Sequence, residues 1–201
     1  MAVKNYTSLQ VIEDTMLIEI DSNWTDELDR FMEQVEDFID TYTGRNFVAD
    51  EDYSDLLFDG DGEKEMIIPD CVDIESIIIT EPVSGVESTY EWDDDYFLAY
   101  PASKTPKNSL EFRDTNSFDF AKGQQNVTIS AKWGYSTAVP REIELAATIL
   151  MAGVINYAYE HNSEVRSETI GNYSVTYQRE EEWVKFKLAM QILDKYKKVS
   201  F

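Results

Sequence analysis

The hydrophobic periodicity of this 201-residue chain changes twice, and that constrains its fold more than any other feature. From Leu28, apolar residues recur at helical spacing: Phe31, Met32, Val35, Phe38, Ile39 and Tyr42 share one face. Asp29, Glu33, Glu36, Asp37 and Asp40 fill the opposite face. Asp26 and Glu27 open the segment where a helix dipole favours acids, and Gly44 stops it as a C′ residue. A shorter helix is expected before it, capped by Thr7 or Ser8, with Leu9, Ile12, Met16 and Leu17 as its stripe.

Near residue 47 the period shortens. Asp, Gly, Ser and Pro become frequent, and β-branched runs replace helical stripes. Leu56 to Phe58 and Met66 to Ile68 flank Asp59-Gly60-Asp61-Gly62, which reads as a hairpin turn. Val72 to Thr80 reads as a strand. Thr89 to Trp92 and Tyr96 to Tyr100 read as a hairpin around Asp93, Asp94 and Asp95. Leu110 to Arg113 is a short strand, and Asn126 to Tyr135 turns Val127, Ile129 and Ala131 inward. Helix returns after Pro140, with Ile143, Ala146, Ala147, Leu150, Met151, Val154, Ile155 and Ala158 as a wide stripe. After a polar stretch and a strand-like Thr169 to Tyr177, a last helix starts near Glu180, faces inward through Trp183, Phe186, Met190 and Leu193, and ends in lysines. The expected fold is α+β: about four helices in one bundle, formed by residues 1–47 and 137–201, with a small antiparallel β region (48–136) inserted between the helix pairs.

Charge narrows the function. Lys and Arg number 17 against 40 acids, a net of −23. Residues 1–100 hold 28 acids and 4 bases; residues 101–201 hold 12 and 13. Affinity for phosphate backbone comes mainly from Lys and Arg, so a general nucleic-acid binder is disfavoured, as is attachment to an anionic membrane. No apolar run approaches the roughly 20 residues that span a bilayer, and the start of the chain has no apolar leader core. A soluble protein made and used without export is expected.

The residue inventory offers little for catalysis. His161 is the one histidine and Cys71 the one cysteine, so neither an internal disulfide nor a His/Cys metal site can be built. No GxxxxGK[ST] or GxGxxG occurs. Asp59-Gly60-Asp61-Gly62-Glu63 lacks EF-hand spacing. Neither an enzyme nor a cofactor is expected.

The order of motifs is more informative. Asp40-Thr41-Tyr42-Thr43-Gly44-Arg45-Asn46-Phe47 closes the second helix. Asn126-Val127-Thr128-Ile129 leads through Lys132-Trp133-Gly134-Tyr135 to Val139-Pro140 and the Ala-rich helix. Ile170-Gly171-Asn172-Tyr173-Ser174-Val175-Thr176-Tyr177 precedes the last helix. This series resembles the head–tail connector (adaptor, or head-completion) proteins of tailed bacteriophages, over nearly the whole chain. The resemblance implies a structural virion protein, a ring of about twelve copies below the portal that extends the DNA channel toward the tail. It would be assembled in the host cytoplasm and reside in the virion neck. Implied partners are copies of itself, the portal protein and tail or neck proteins, with double-stranded DNA passing through unbound and no membrane.

Carried onto this chain, Lys195, Tyr196, Lys197, Lys198, Val199, Ser200 and Phe201 become portal-contact candidates. Ile170, Tyr173, Val175 and Tyr177 become candidates for subunit or tail-side contact. A channel that passes DNA should repel phosphate within the Debye length of roughly 8 Å, so Glu33, Glu36, Asp37, Asp40, Asp93, Asp94 and Asp95 are candidates for its wall. Two alternatives fit the composition: another neck or tail-completion protein such as a tail terminator, and an acidic DNA mimic that blocks a nucleic-acid enzyme.

Overall fold

The computed structural model describes residues 4–17, 20, 25–80, 85–91, 97–101, 104–113, 119–160 and 180–198. The chain divides into two compact units. One holds Met1–Arg45 and Val139–Phe201; the other holds Asn46–Ala138. Regrouped by unit, the charge is more even than by halves. Residues 46–138 hold 20 acids and 6 bases, a net of −14, and the remainder holds 20 and 11, a net of −9.

In the first unit, helix α1 spans Leu9–Met16, α2 Thr25–Thr43, α3 Arg141–Glu160 and α4 Glu180–Asp194. The Ser8 side chain caps α1 by accepting from Val11 N–H at 3.3 Å. Leu17 does not join the α1 stripe. It sits at the C-cap in left-handed backbone (φ 55°) and is 89% exposed. In α2 the buried side chains are Leu28, Val35, Glu36, Ile39 and Thr43, while Phe31, Met32, Phe38 and Tyr42 are half-buried. Gly44, at φ 69°, turns the chain so that its N–H and that of Arg45 both reach Asp40 O. Pro140 lies one residue before α3, and its carbonyl accepts from Ile143 and Glu144 N–H. α3 packs on α1, α2 and α4. α4 buries Ala189, Ile192 and Leu193; of the expected row Leu193 is buried and Phe186 and Met190 are half-buried, while the Trp183 side chain lies outside the described residues.

The second unit is a six-stranded antiparallel sheet. Its strands are β1 (Ser54–Gly60), β2 (Glu65–Thr80), β3 (Glu87–Glu91), β4 (Phe97–Tyr100), β5 (Lys107–Phe112) and β6 (Gly123–Trp133). The order is β1-β6-β2-β5-β4, with β3 on the far end of β2. Val127, Ile129 and Ala131 are fully buried, as their alternation requires. They join Ile77, Phe97, Leu110, Phe112 and Phe120 in one core.

Two hairpin expectations fail here. β1 and β2 flank the Asp59–Gly62 turn but do not pair; β6 lies between them. The loop instead bonds across to the segment before β6: Gly62 N–H donates to Phe120 O at 2.8 Å and Phe120 N–H to Glu63 O at 2.9 Å. Likewise β3 pairs with β2 and β4 with β5. Turn chemistry marks where strands reverse, whereas burial of β6 on both sides decides which strands are neighbours.

Candidate docking surface at the helix ends

The end of α2, the start of α3 and the end of α4 meet in a connected group of polar side chains. Tyr42 OH donates to Asp194 Oδ1 at 2.6 Å. Lys197 Nζ lies 3.2 Å from the same oxygen and 3.7 Å from the centroid of the Tyr42 ring. Arg45 Nε donates to Tyr196 O at 2.5 Å, and Lys198 N–H to Thr43 O at 2.8 Å. Across the group, Tyr196 OH and Lys195 Nζ donate to the two oxygens of Glu142 at 3.0 and 3.3 Å. The Tyr196 hydroxyl, then Lys195, holds the Glu142 carboxyl below its usual range. Tyr42, then Lys197, does the same for Asp194. Tyr42 and Asp194 in turn hold the Lys197 ammonium above its ordinary value.

These bonds fix the path of the chain after α4. Of the portal-contact candidates, Lys195, Lys197 and Lys198 are exposed and Tyr196 is half-buried, all anchored to α2 or α3. Val199, Ser200 and Phe201 lie outside the described residues, as do Ile170, Tyr173, Val175, Tyr177 and the Asp93–Asp95 turn.

The acidic face of α2 needs correction. Glu36 is not a surface residue: it is 4% exposed. Its carboxylate accepts Lys4 N–H at 2.7 Å and Tyr6 N–H at 2.9 Å. Asn5, between them, is left-handed (φ 57°), which aims both N–H groups at one anion. Asp40 accepts from Tyr6 OH at 2.6 Å and from Lys4 Nζ. Both acids therefore hold the segment before α1 against α2. Helical periodicity could not show this, because the partners, backbone N–H groups for Glu36 and side chains for Asp40, lie some 30 residues away. Thr7 extends the anchorage: Thr148 OH donates to Glu144 O, so the Thr7 hydroxyl must donate to Thr148 Oγ1 at 2.8 Å. Glu33 is half-exposed and Asp37 exposed; neither has a hydrogen-bond or ion-pair partner among the described residues.

In the β unit the Trp-Gly-Tyr motif closes the two ends on each other. Gly134 has φ 143°, and a Cβ there would lie 2.4 Å from Ala49 Cα. Tyr135 N–H donates to Asn46 O at 2.8 Å, its ring lies 5.4 Å from Phe47, and Trp133 Nε1 donates to Ser54 O at 2.8 Å. Cys71 is fully buried beside Asp70 and Asp73; burial pushes its thiol up to about 12, the wrong direction for a nucleophile. Among the described residues, no group of three His, Cys, Asp or Glu could hold a metal ion, and no helix is long and apolar enough to cross a membrane.

The head completion protein family model matches residues 2–199. The chain belongs to that family. This is the family its motif order resembles. No curated protein matches the sequence. Among solved structures, a chain from the neck of an empty GTA particle, computed with C6 symmetry, is similar with a TM-score of 0.59. It is 12% identical, and the match covers 100% of this chain and 94% of the other. At that identity the likeness supports the fold, a mixed α+β arrangement.

Proposed function

We propose that this head completion protein is a structural, non-enzymatic ring component of the virion neck. It docks below the portal, connects head to tail and extends the channel through which DNA passes. The observation that carries the reading is the family match over residues 2–199. The polar group at the helix ends supports it physically. Bonds to Thr43, Glu142 and Tyr42 fix the chain after α4 as far as Lys198, next in sequence to the portal-contact candidates Val199 to Phe201. The four helices act as one bundle with the β unit inserted, and Ile170 to Tyr177 reaches a subunit or the tail side. Glu36 and Asp40 are engaged internally, which leaves Glu33 and Asp37 of the α2 acids to face the bore or a neighbour, with Asp93 to Asp95 as further candidates from the sequence. Assembly takes place in the host cytoplasm.

The test is to mix the purified protein with the portal protein of the same genome and image the product by electron microscopy, with sedimentation of each alone. A second ring stacked on the portal is the expected result. Two folded proteins that fail to associate at any salt concentration overturn the reading.

A further inference from the structure

A chain of net charge −23 that associates with copies of itself meets long-range repulsion. Contact is favoured where one copy presents bases and apolar surface to acids of the next. Helix α4 carries such a face. Val184 and Leu188, one turn apart, are 64% and 45% exposed, although α4 buries its other side through Ala189 and Leu193. At 100° per residue, Lys185 and Lys187 flank this apolar pair on either side, and both are exposed. Helix α2 carries the complement. Glu33 and Asp37, also one turn apart, form an acidic row on the side of α2 away from its buried Val35 and Ile39. The one base on that face, Arg30, is folded over the Phe31 ring at 5.6 Å.

We propose that the outward face of α4 (Val184, Lys187, Leu188) docks on the outward face of α2 (Glu33, Asp37) of a second copy of this chain. The proposal rests on the reading that the protein works as a ring, and it names the contact that closes it. Two different faces of one subunit make the interface heterologous, so any open assembly leaves one face of each kind unfilled at its ends, and growth stops where a ring closes. Glu33 and Asp37 then belong to the subunit boundary, and the channel wall is left to Asp93, Asp94 and Asp95.

The test uses sedimentation of the full chain up to millimolar concentration. Asp37→Lys and Lys187→Asp each place like charges at the contact and should weaken association about tenfold or more. The double variant Asp37→Lys/Lys187→Asp should recover most of that loss. Mixing a Val184→Asp chain, which keeps α2 intact, with an Asp37→Lys chain, which keeps α4 intact, should give a capped one-to-one pair. All three positions are exposed, and circular dichroism checks that each variant folds. Single reversals that associate like the unaltered chain, a mixture that gives no pair, or an unaltered chain that is monomeric throughout, overturn the proposal. The connector reading is scored separately: chains that self-associate through these faces yet ignore the portal sink that reading and leave this contact standing.

Discussion

Adding a single methyl group at Gly134 should cost this protein far more than the same addition at Gly85 or Gly153. A Cβ at Gly134 would lie 2.4 Å from Ala49 Cα, 2.7 Å from Ala49 N and 2.8 Å from Val48 O, all backbone atoms that cannot rotate away. The φ of 143° adds strain of about 1–3 kcal/mol for a residue with a side chain. Relief requires residues 48–50 to move off residues 133–136. That stretches Ala49 N–H to Ser136 O and Asp50 N–H to Trp133 O, both 2.9 Å, at about 1 kcal/mol each. Gly134→Ala should therefore destabilise by about 3–5 kcal/mol. Two controls separate the causes. Gly85 has φ 67° with nothing within 4 Å, so Gly85→Ala carries the backbone strain alone, about 1–2 kcal/mol. Gly153 sits inside α3 with open space around it, so Gly153→Ala should stabilise by about 0.5–1 kcal/mol. Urea titration followed by far-ultraviolet circular dichroism measures all three. A Gly134→Ala protein no weaker than Gly85→Ala would refute the close approach of the two segments.

Two further perturbations probe the helical unit. Glu36→Ala leaves two amide donors without their carboxylate and should cost about 2–4 kcal/mol, with faster proteolysis near residue 4; Glu36→Gln, with one acceptor oxygen, should fall between, and an unchanged urea midpoint in both would show that the bonds to Lys4 and Tyr6 contribute nothing. Glu142 and Asp194 titrate below their ordinary 4.5 and 3.8, so each holds less proton in the folded state than in the unfolded one between its lowered and its ordinary value. Their stabilisation is complete above about pH 4.5 and drains as pH falls through the lowered values; for Lys197, raised above 10.5, it is complete below that pH and is lost as pH rises through the raised value. Accordingly, the stability gap between the unaltered chain and Asp194→Asn should shrink from pH 6 to pH 3, and a gap that stays constant with pH contradicts the bonds from Tyr42 and Lys197.

The elements were readable where one periodicity ran long enough to dominate. The α2 stripe predicts Leu28, Val35 and Ile39 inward, and they are; the β6 alternation predicts Val127, Ile129 and Ala131 inward, and they are. Pairing was not readable. The Asp59–Gly62 turn has every local mark of a hairpin, but β1 gains more by covering β6, whose core residues lie about 70 positions away. The face of an acid was not readable either. Glu36 repeats with Glu33 and Asp37 on the polar side of α2, and only the left-handed Asn5, far upstream, brings it two amide donors.

The same limit explains why the candidate surface was half visible. A lysine-rich helix end is legible as a favourable dipole arrangement, which predicts solvated cations. In the fold those residues meet Tyr42, Glu142 and Asp194, which come from three different helices. Tyr42 belongs to the Tyr-Thr-Gly-Arg motif, and so does Arg45, which donates to Tyr196 O. Gly44 is required between them because the chain must turn left-handed immediately after α2 while Thr43 O stays open to Lys198 N–H. The motif thus performs two tasks in four residues: it ends α2, and it anchors the segment that leaves α4. A substitution at Tyr42 or Arg45 should leave α2 intact and release that segment. In the connector reading, such a change would impair docking on the portal before it impaired folding.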